Sequence, residues 1–183
     1  MEKLVEKRLD KLDLDLRNLL TDLDGYSEQT LNKKPDGKSW SVFQIMYHLL
    51  LSEGFSLQYV QKKLSFNPEL KTAGTKARSR SLLLNTYLQS PIKRKAPSAI
   101  SGENLPEYTT FWDVAKKWKG QREELRQYLV ELPDEVFTKE VYKHPFAGRI
   151  SLAAMLSFFQ NHYNRHHKQI YRTLKKLDAV KIK

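Results

Sequence analysis

Four long stretches of the chain repeat apolar residues at intervals of three and four, and this periodicity is the feature that most restricts the fold. The stretches cover residues 2–23, 41–64, 110–132 and 151–177, and segments containing proline or glycine separate them. Such spacing places the apolar side chains on one face of an α-helix. Since each helix must bury that face against another element, we predict an all-α protein built as a four-helix bundle.

The starts of two of these helices carry capping signals. Ser41 followed three residues later by Gln44 is typical of a capping box, and Trp40 stands where a packing residue precedes such a cap. Ser151 is placed to cap the last helix. Both signals support the predicted helix starts.

Two connections interrupt the helical pattern for longer than a simple turn. Residues 66–108 contain four prolines and two glycines, and only residues 81–88 are predicted to form a short element. A crossover of this length leaves the second and third helices parallel, and such long connections are often functional. Residues 136–148 are predicted to be irregular, with a turn over residues 145–148.

The length and composition of the chain limit the number of domains, the possible metal ligands and the expected location. At 183 residues we predict a single domain over residues 1–183. The chain has no cysteine, which excludes disulfide scaffolds and thiolate metal sites, so any metal would be held by His, Asp or Glu. The charged N-terminus is unlike a signal peptide, and no apolar run approaches the roughly 20 residues that span a bilayer. We therefore expect a cytoplasmic protein with no membrane partner.

The positive charge is unevenly distributed. The net charge is +11, and no acidic residue lies between Glu69 and Glu103. That interval contains Lys71, Lys76, Arg78, Arg80, Lys93, Arg94 and Lys95. Three interpretations are open: a solvated loop, a loop that selects an anionic substrate, or a non-enzymatic basic module that binds nucleic acid or another anionic partner through residues 71–95. No recognised nucleic-acid motif is present, so we do not expect nucleic acid as a partner.

Histidines occur on the apolar faces of two helices. His162 and His166 are four residues apart in the last helix, a spacing at which two imidazoles can chelate one ion. His48 lies on the inward face of the second helix. Three imidazoles in one core need an ion or hydrogen bonds to offset their desolvation. The pattern therefore favours a metal site, with a hydrogen-bonded group of core histidines as the alternative.

The other two histidines are predicted to lie outside this group. His144 falls in the predicted turn and is expected to be exposed, and His167 lies about 100° around the helix from His166. Tyr163 stands where the zinc-protease helix motif has its glutamate, so a protease is not favoured.

No catalytic residue is identified from the sequence. Glu53 lies about 140° around the second helix from His48 and is expected to point elsewhere. Five side chains could hydrogen-bond near the histidines, although each also suits a structural role: Gln44, Ser52, Tyr59, Tyr163 and Gln169.

Two motifs carry a resemblance to a known family. Residues 40–48 read Trp-x-x-x-Gln-x-x-x-His, and residues 162–170 contain His-x-x-x-His-His followed by Gln-Ile. Together they resemble the DinB-like superfamily, including its YfiT-like branch. The resemblance implies an up-down-down-up four-helix bundle. It also implies a divalent metal, most often nickel or zinc, held by His48, His162 and His166.

The resemblance further implies a metal-dependent enzyme that acts on a small molecule, either as a hydrolase or as a thiol-dependent S-transferase. Because the chain has no cysteine, the sulfur of a transferase reaction would come from a low-molecular-weight thiol. We also predict a homodimer, because aromatic residues such as Phe111 and Trp112 are expected to lie outside the bundle core.

Overall fold

The computed structural model of the protein describes residues 2–92 and 94–182. The helices in this part of the chain are α1 (Glu2–Leu23), α2 (Glu28–Asn32), α3 (Val42–Ser65), α4 (Thr75–Gln89), α5 (Phe111–Val130) and α6 (Leu152–Lys176). The four long predicted helices correspond to α1, α3, α5 and α6, and each observed end lies within two residues of the prediction. Both predicted caps are confirmed: Ser41 forms a capping box with Gln44, and the Ser151 hydroxyl accepts the backbone N–H of Ala154.

Helices α1 and α6 run in the same direction. Near the start of both, the Arg8 guanidinium donates to the carbonyl of Ala153 at 2.6 Å. Near the end of both, the Tyr171 hydroxyl donates to Asp22 at 2.5 Å. Contacts that join start to start and end to end require parallel helices.

Helices α3 and α5 are also parallel to each other and antiparallel to α6. Lys117 donates to the Tyr47 hydroxyl near the start of both α3 and α5, and Gln61 donates to Glu124 further along both. His48, near the start of α3, contacts His162 and His166 in the middle of α6. Leu57 and Val60, further along α3, share a hydrophobic cluster with Leu152 and Met155 at the start of α6. The bundle therefore has the up-down-down-up order, and α3 and α5 can be parallel only because a long crossover returns the chain to the starting end.

The crossover contains more structure than the sequence predicted. Helix α4 extends over fifteen residues, about twice the length of the short element predicted at residues 81–88. Its apolar residues do not form one clean stripe: Leu84 and Leu88 are buried, whereas Leu82 and Leu83 are largely exposed. Packing of α4 against α6 supplies the stabilisation that its own pattern lacks. Two 3-10 turns follow, at Ser98–Ile100 and Gly102–Asn104.

The segment predicted to be irregular before α6 is largely ordered. A 3-10 turn covers Asp134–Thr138, and strands β1 (Tyr142–His144) and β2 (Gly148–Ile150) form an antiparallel hairpin. The predicted turn over residues 145–148 joins these strands. Gly148 has a φ of +79°, a left-handed conformation that glycine adopts without strain. Strand β2 packs against α4, so the hairpin and the crossover support each other.

Two hydrophobic clusters fill the bundle, and each takes residues from α1, α3, α5 and α6. Two large aromatic side chains of these helices are exposed, Phe55 on α3 and Trp112 on α5. Trp112 therefore lies outside the bundle core, as expected. No helix of the described residues has the length and apolarity needed to cross a membrane.

Candidate metal centre

Three imidazoles converge in the bundle core from two antiparallel helices. His48 comes from the first half of α3, and His162 and His166 come from successive turns of α6. All three side chains are buried, and one ring nitrogen from each lies within 4.8 Å of the others. The ring centroids of the pairs are 4.6 to 5.0 Å apart. The structure thus brings together the three residues selected from the sequence.

Two of the imidazoles are oriented by hydrogen bonds from the opposite ring nitrogen. Nδ1 of His48 lies 2.8 Å from the Ile100 carbonyl, and because a carbonyl only accepts, this nitrogen carries the proton. Nδ1 of His166 lies 2.9 Å from the Gln169 side-chain oxygen, which sets the same tautomer. The Nε2 lone pairs of both rings are therefore free, and this is the arrangement that outer-shell partners impose on metal-binding histidines.

The distance between two ring nitrogens tests whether this group fits a cation. Nε2 of His48 and Nε2 of His162 are 3.2 Å apart. Since His48 has its proton on Nδ1, two lone pairs would face each other unless His162 holds a proton on Nε2 or a cation lies between the rings. A set of nitrogen donors without a carboxylate or thiolate suits zinc, nickel or copper rather than magnesium or calcium. The donor set therefore fits a divalent transition metal.

The environment keeps the three histidines neutral. Burial lowers the pKa of His162 well below its usual range, and positive charge on His166 or His48 would lower that pKa further. Burial, followed by the proximity of His48, lowers the pKa of His166 to about 3. Burial also lowers the pKa of His48, against the opposing effect of its bond to Ile100. Neutral imidazole is the form that binds a metal, so no proton has to be displaced near neutral pH.

Aromatic rings close two sides of the centre. The Phe158 ring stacks on His162 with centroids 5.1 Å apart, and the Trp40 ring lies 4.9 Å from His48. From the sequence, Trp40 was assigned as the packing residue before the cap of α3 and as the first residue of the motif over residues 40–48. These rings cover two of the imidazoles with apolar surface, and a less polar environment strengthens electrostatic interactions among the groups inside.

Hydrogen bonds join two parts of the crossover to the histidine cluster. Ile100, in its first 3-10 turn, accepts the His48 hydrogen bond. Arg165, adjacent to His166 on α6, donates to the carbonyls of Tyr87, Leu88, Ser90 and Ile92 at the end of α4 and beyond it. The end of α4 and the first 3-10 turn of the crossover therefore lie next to the histidine cluster. Lys93, one of the basic residues of the crossover, lies outside the described residues.

His144 is not exposed, and this prediction was wrong. The hairpin folds onto α6, so the side chain at the end of β1 is buried and its ring lies 4.7 Å from the Phe158 ring. Its Nδ1 accepts the backbone N–H groups of Phe146 and Ala147, at 3.2 and 3.1 Å. Burial lowers the pKa of His144 to about 4. His144 is a neutral histidine separated from His162 by one phenylalanine ring.

His167 and Glu53 both lie outside the histidine cluster. His167 lies on the flank, between the rings of Tyr163 and Tyr171, as predicted. Glu53 does point elsewhere: it accepts from Arg122 and from the Trp118 indole on α5. It is therefore committed to a buried ion pair.

Three of the five candidate hydrogen-bonding residues have structural roles: Gln44 completes the α3 cap, the Tyr59 ring packs on Tyr142, and the Tyr163 hydroxyl donates to the Asp15 carbonyl. Ser52 is a small buried residue of α3. Gln169 is the exception, because it holds a ligand candidate. Ile100, Phe158 and Arg165 were missed, and only the spacing of Phe158 four residues before His162 could have indicated its contact.

Replacing Gln169 by leucine is expected to weaken metal binding without unfolding the protein. The substitution removes the acceptor that fixes the His166 tautomer, and outer-shell changes of this kind typically cost about 10–100-fold in affinity. Competition against a chromophoric chelator measures the change, and Gln160→Leu, nine residues earlier on α6, serves as the control. Equal affinities for the Gln169 and Gln160 variants would contradict an orienting role.

The fold and the site define a class: a four-helix bundle with three buried, convergent histidines between its second and last long helices. The chain belongs to the DinB superfamily, whose family model matches residues 11–170.

Two Bacillus subtilis proteins show the extent of the similarity. The uncharacterised protein YuaE is 24% identical over 159 residues, which cover 87% of this chain and 92% of that protein. The structure of YfiT, described as a probable metal-dependent hydrolase with an unusual four-helix bundle topology, superposes with a TM-score of 0.60 at 16% identity. That match covers 94% of this chain and 87% of YfiT, so the two share the fold along nearly the whole length.

Proposed function

We propose that this protein is a metal-dependent enzyme that acts on a small molecule, with His48, His162 and His166 as the ligands of a divalent ion. The observation that carries the proposal is the convergence of three buried, neutral imidazoles, two of them held in the ligand tautomer by Ile100 and Gln169. Zinc or nickel suits three imidazole donors.

The chain's residues prepare the site in three ways. The imidazoles supply nitrogen donors, the Ile100 carbonyl and Gln169 orient two of them, and the rings of Trp40 and Phe158 keep water away from their flanks. A bound ion would act as a Lewis acid on a carbonyl or phosphoryl oxygen, or would stabilise the thiolate of a cosubstrate. No carboxylate of the described residues joins the histidine cluster, so we assign no general base.

Two reactions fit this chemistry. Hydrolysis is supported by the shared fold with YfiT, which is described as a probable metal-dependent hydrolase. Thiol transfer is the second candidate, and it requires a low-molecular-weight thiol because the protein has no cysteine.

An activity screen of the zinc- and nickel-loaded protein tests the enzymatic proposal. We expect turnover either of esters and amides in the absence of thiol, or of electrophiles only when a thiol is present. Turnover should disappear in His162→Ala and persist in His167→Ala. Failure of every substrate class with fully loaded protein would leave a metal-binding protein without enzymatic function.

The organisation of the chain forms part of the same proposal. We infer one domain over residues 1–183, since both hydrophobic clusters draw on all four long helices. Cytoplasmic localisation stays a prediction. A homodimer also stays a prediction: Trp112 is 64% exposed, whereas Phe111 is partly buried against the core.

A further inference from the structure

The excess positive charge of the protein is confined to two segments. Residues 70–102 and 141–177 together contain 14 of the 32 lysines and arginines and no acidic residue. All 21 acidic residues lie elsewhere, with the other 18 lysines and arginines. The chain outside these segments is therefore slightly acidic, and the net charge of +11 arises entirely within them.

These two segments enclose the histidine cluster from one side. The first contains α4 and the Ile100 carbonyl that orients His48, and the second contains the hairpin and α6 with His162 and His166. Helix α4 packs against both α6 and β2. The two basic segments thus contain elements that form one side of the candidate metal centre, and their positive potential raises the local concentration of anions.

Two arginines stack on the Tyr87 ring of this surface, and they differ in what their N–H groups do. The Arg165 guanidinium lies 5.2 Å from the ring centroid and donates to four main-chain carbonyls, so it has a structural role. The Arg94 guanidinium lies 5.7 Å from the same ring and has no hydrogen bond or ion pair with any described residue. Its donors are free to receive a ligand.

Arg94 is also held in place next to the hairpin. Its guanidinium lies 5.6 Å from the centroid of the Phe146 ring, so two aromatic faces position it. Contacts between neighbouring rings connect Phe146 to the centre. The ring centroids are 6.0 Å apart for Phe146 and His144, 4.7 Å for His144 and Phe158, and 5.1 Å for Phe158 and His162. Stacking limits the orientations of the charged group and lowers the entropy lost when it binds an anion.

We propose that the substrate of this site is a small molecule carrying a carboxylate or phosphate, and that Arg94 receives that anionic group. The inference rests on the proposed function, because it names the substrate class of the same centre. A guanidinium offers a planar pair of donors that matches either oxyanion, and no carboxylate of the described residues pairs with Arg94. Arg94 is thus a specificity-determining residue.

Binding of simple anions to the metal-free protein tests the inference without any activity measurement. Succinate and inorganic phosphate are titrated separately, at low salt, and followed by two-dimensional NMR of backbone amides and arginine Nε–H groups. We expect one of the two to shift the signals of Arg94, Tyr87 and Phe146, and dimethyl succinate to leave them unchanged. The active probe distinguishes a carboxylate substrate from a phosphate substrate.

Substitutions identify the residue responsible. Arg94→Gln is expected to weaken binding of the active probe by about tenfold or more, since charge-assisted hydrogen bonds are lost. Arg94→Lys should retain part of the affinity, because lysine keeps the positive charge but lacks the planar pair of N–H donors. Arg17→Gln, at an exposed arginine of α1 outside the two basic segments, should have no effect.

Any of three results in the anion titrations would overturn the inference: equal binding to Arg94→Gln, equal binding of dimethyl succinate, or shifts confined to the groove that Arg78 lines between α4 and the start of α6. Tight, salt-sensitive binding of a single-stranded oligonucleotide spread along α4 would overturn it in favour of a polyanion interface. Failure of the metal proposal gives a different result. If wild-type protein takes up no metal but still binds succinate or phosphate, only the metal centre is refuted.

Discussion

Replacing His162 by alanine is expected to abolish stoichiometric binding of a divalent metal ion. Wild-type protein purified without a histidine tag should carry close to one zinc or nickel ion per chain, and the variant should carry none. His162 is buried in contact with both other imidazoles, and its Nε2 lies only 3.2 Å from Nε2 of His48. Its removal leaves two ligands and an unfilled space, so affinity should fall by more than the roughly 10–100-fold caused by an outer-shell change.

His167→Ala is the matched control for this experiment. It removes an imidazole from the same helix, five residues along, whose ring packs between two tyrosines rather than in the cluster. Elemental analysis together with chelator competition measures stoichiometry and affinity in wild type and both variants. Wild-type protein that takes up neither zinc nor nickel, or a His162→Ala variant that still binds one ion per chain, would refute the ligand assignment.

The same histidines should make the metal-free protein sensitive to acid. Burial holds the pKa of His166 at about 3 in the folded chain, whereas in the unfolded chain it returns to about 6.5. The unfolded state therefore binds the extra proton, and stability is complete above about pH 6.5 and falls as the pH drops toward the folded value, by roughly 1.4 kcal/mol per pH unit for each such histidine. Urea unfolding at pH 7, 6 and 5 should show this slope, and His166→Gln should reduce it.

Replacing Arg122 by methionine should destabilise the fold more than any other single change considered for this protein. Arg122 and Glu53 form a buried bidentate pair between α5 and α3, with contacts of 2.6 and 2.7 Å, and the Trp118 indole donates to the same carboxylate at 3.0 Å. Removing the arginine leaves a buried carboxylate without a counter-charge. Breaking such a pair typically costs about 3–5 kcal/mol.

A matched control lies one turn further along α5. Arg126→Met breaks ion pairs to Asp10 and Asp13 on α1, which are partly exposed and worth only about 0–1 kcal/mol. Replacing both Glu53 and Arg122 by apolar residues of similar volume should recover most of the loss, because no isolated charge then remains. Free energies of unfolding in urea measure all three variants. If Arg122→Met and Arg126→Met lower the free energy of unfolding by similar amounts, the buried pair is no more important for stability than the partly exposed ones.

The helices that could be predicted are those whose bounds are determined by residues close together in the sequence. The stripes of α1, α3, α5 and α6 and the cap at Ser41 can be read from neighbouring residues, and these predictions agree with the structure. Helix α4 was underestimated because its stabilisation comes from packing on α6 and β2 rather than from its own pattern. His144 was misplaced for the same reason, since a turn sequence does not reveal what the hairpin folds against.

By itself the sequence determined the class of fold, the three histidines that meet, and the absence of any thiolate ligand. Helical periodicity, the spacing of two motifs and the lack of cysteine contain that information. Only the tertiary structure decided what surrounds the histidines: the Ile100 carbonyl on His48, the Phe158 ring on His162, and the arginines stacked on Tyr87. These contacts join residues far apart in the chain, and their partners are set by how the crossover and hairpin pack on α6, a non-local property that no spacing along the sequence encodes.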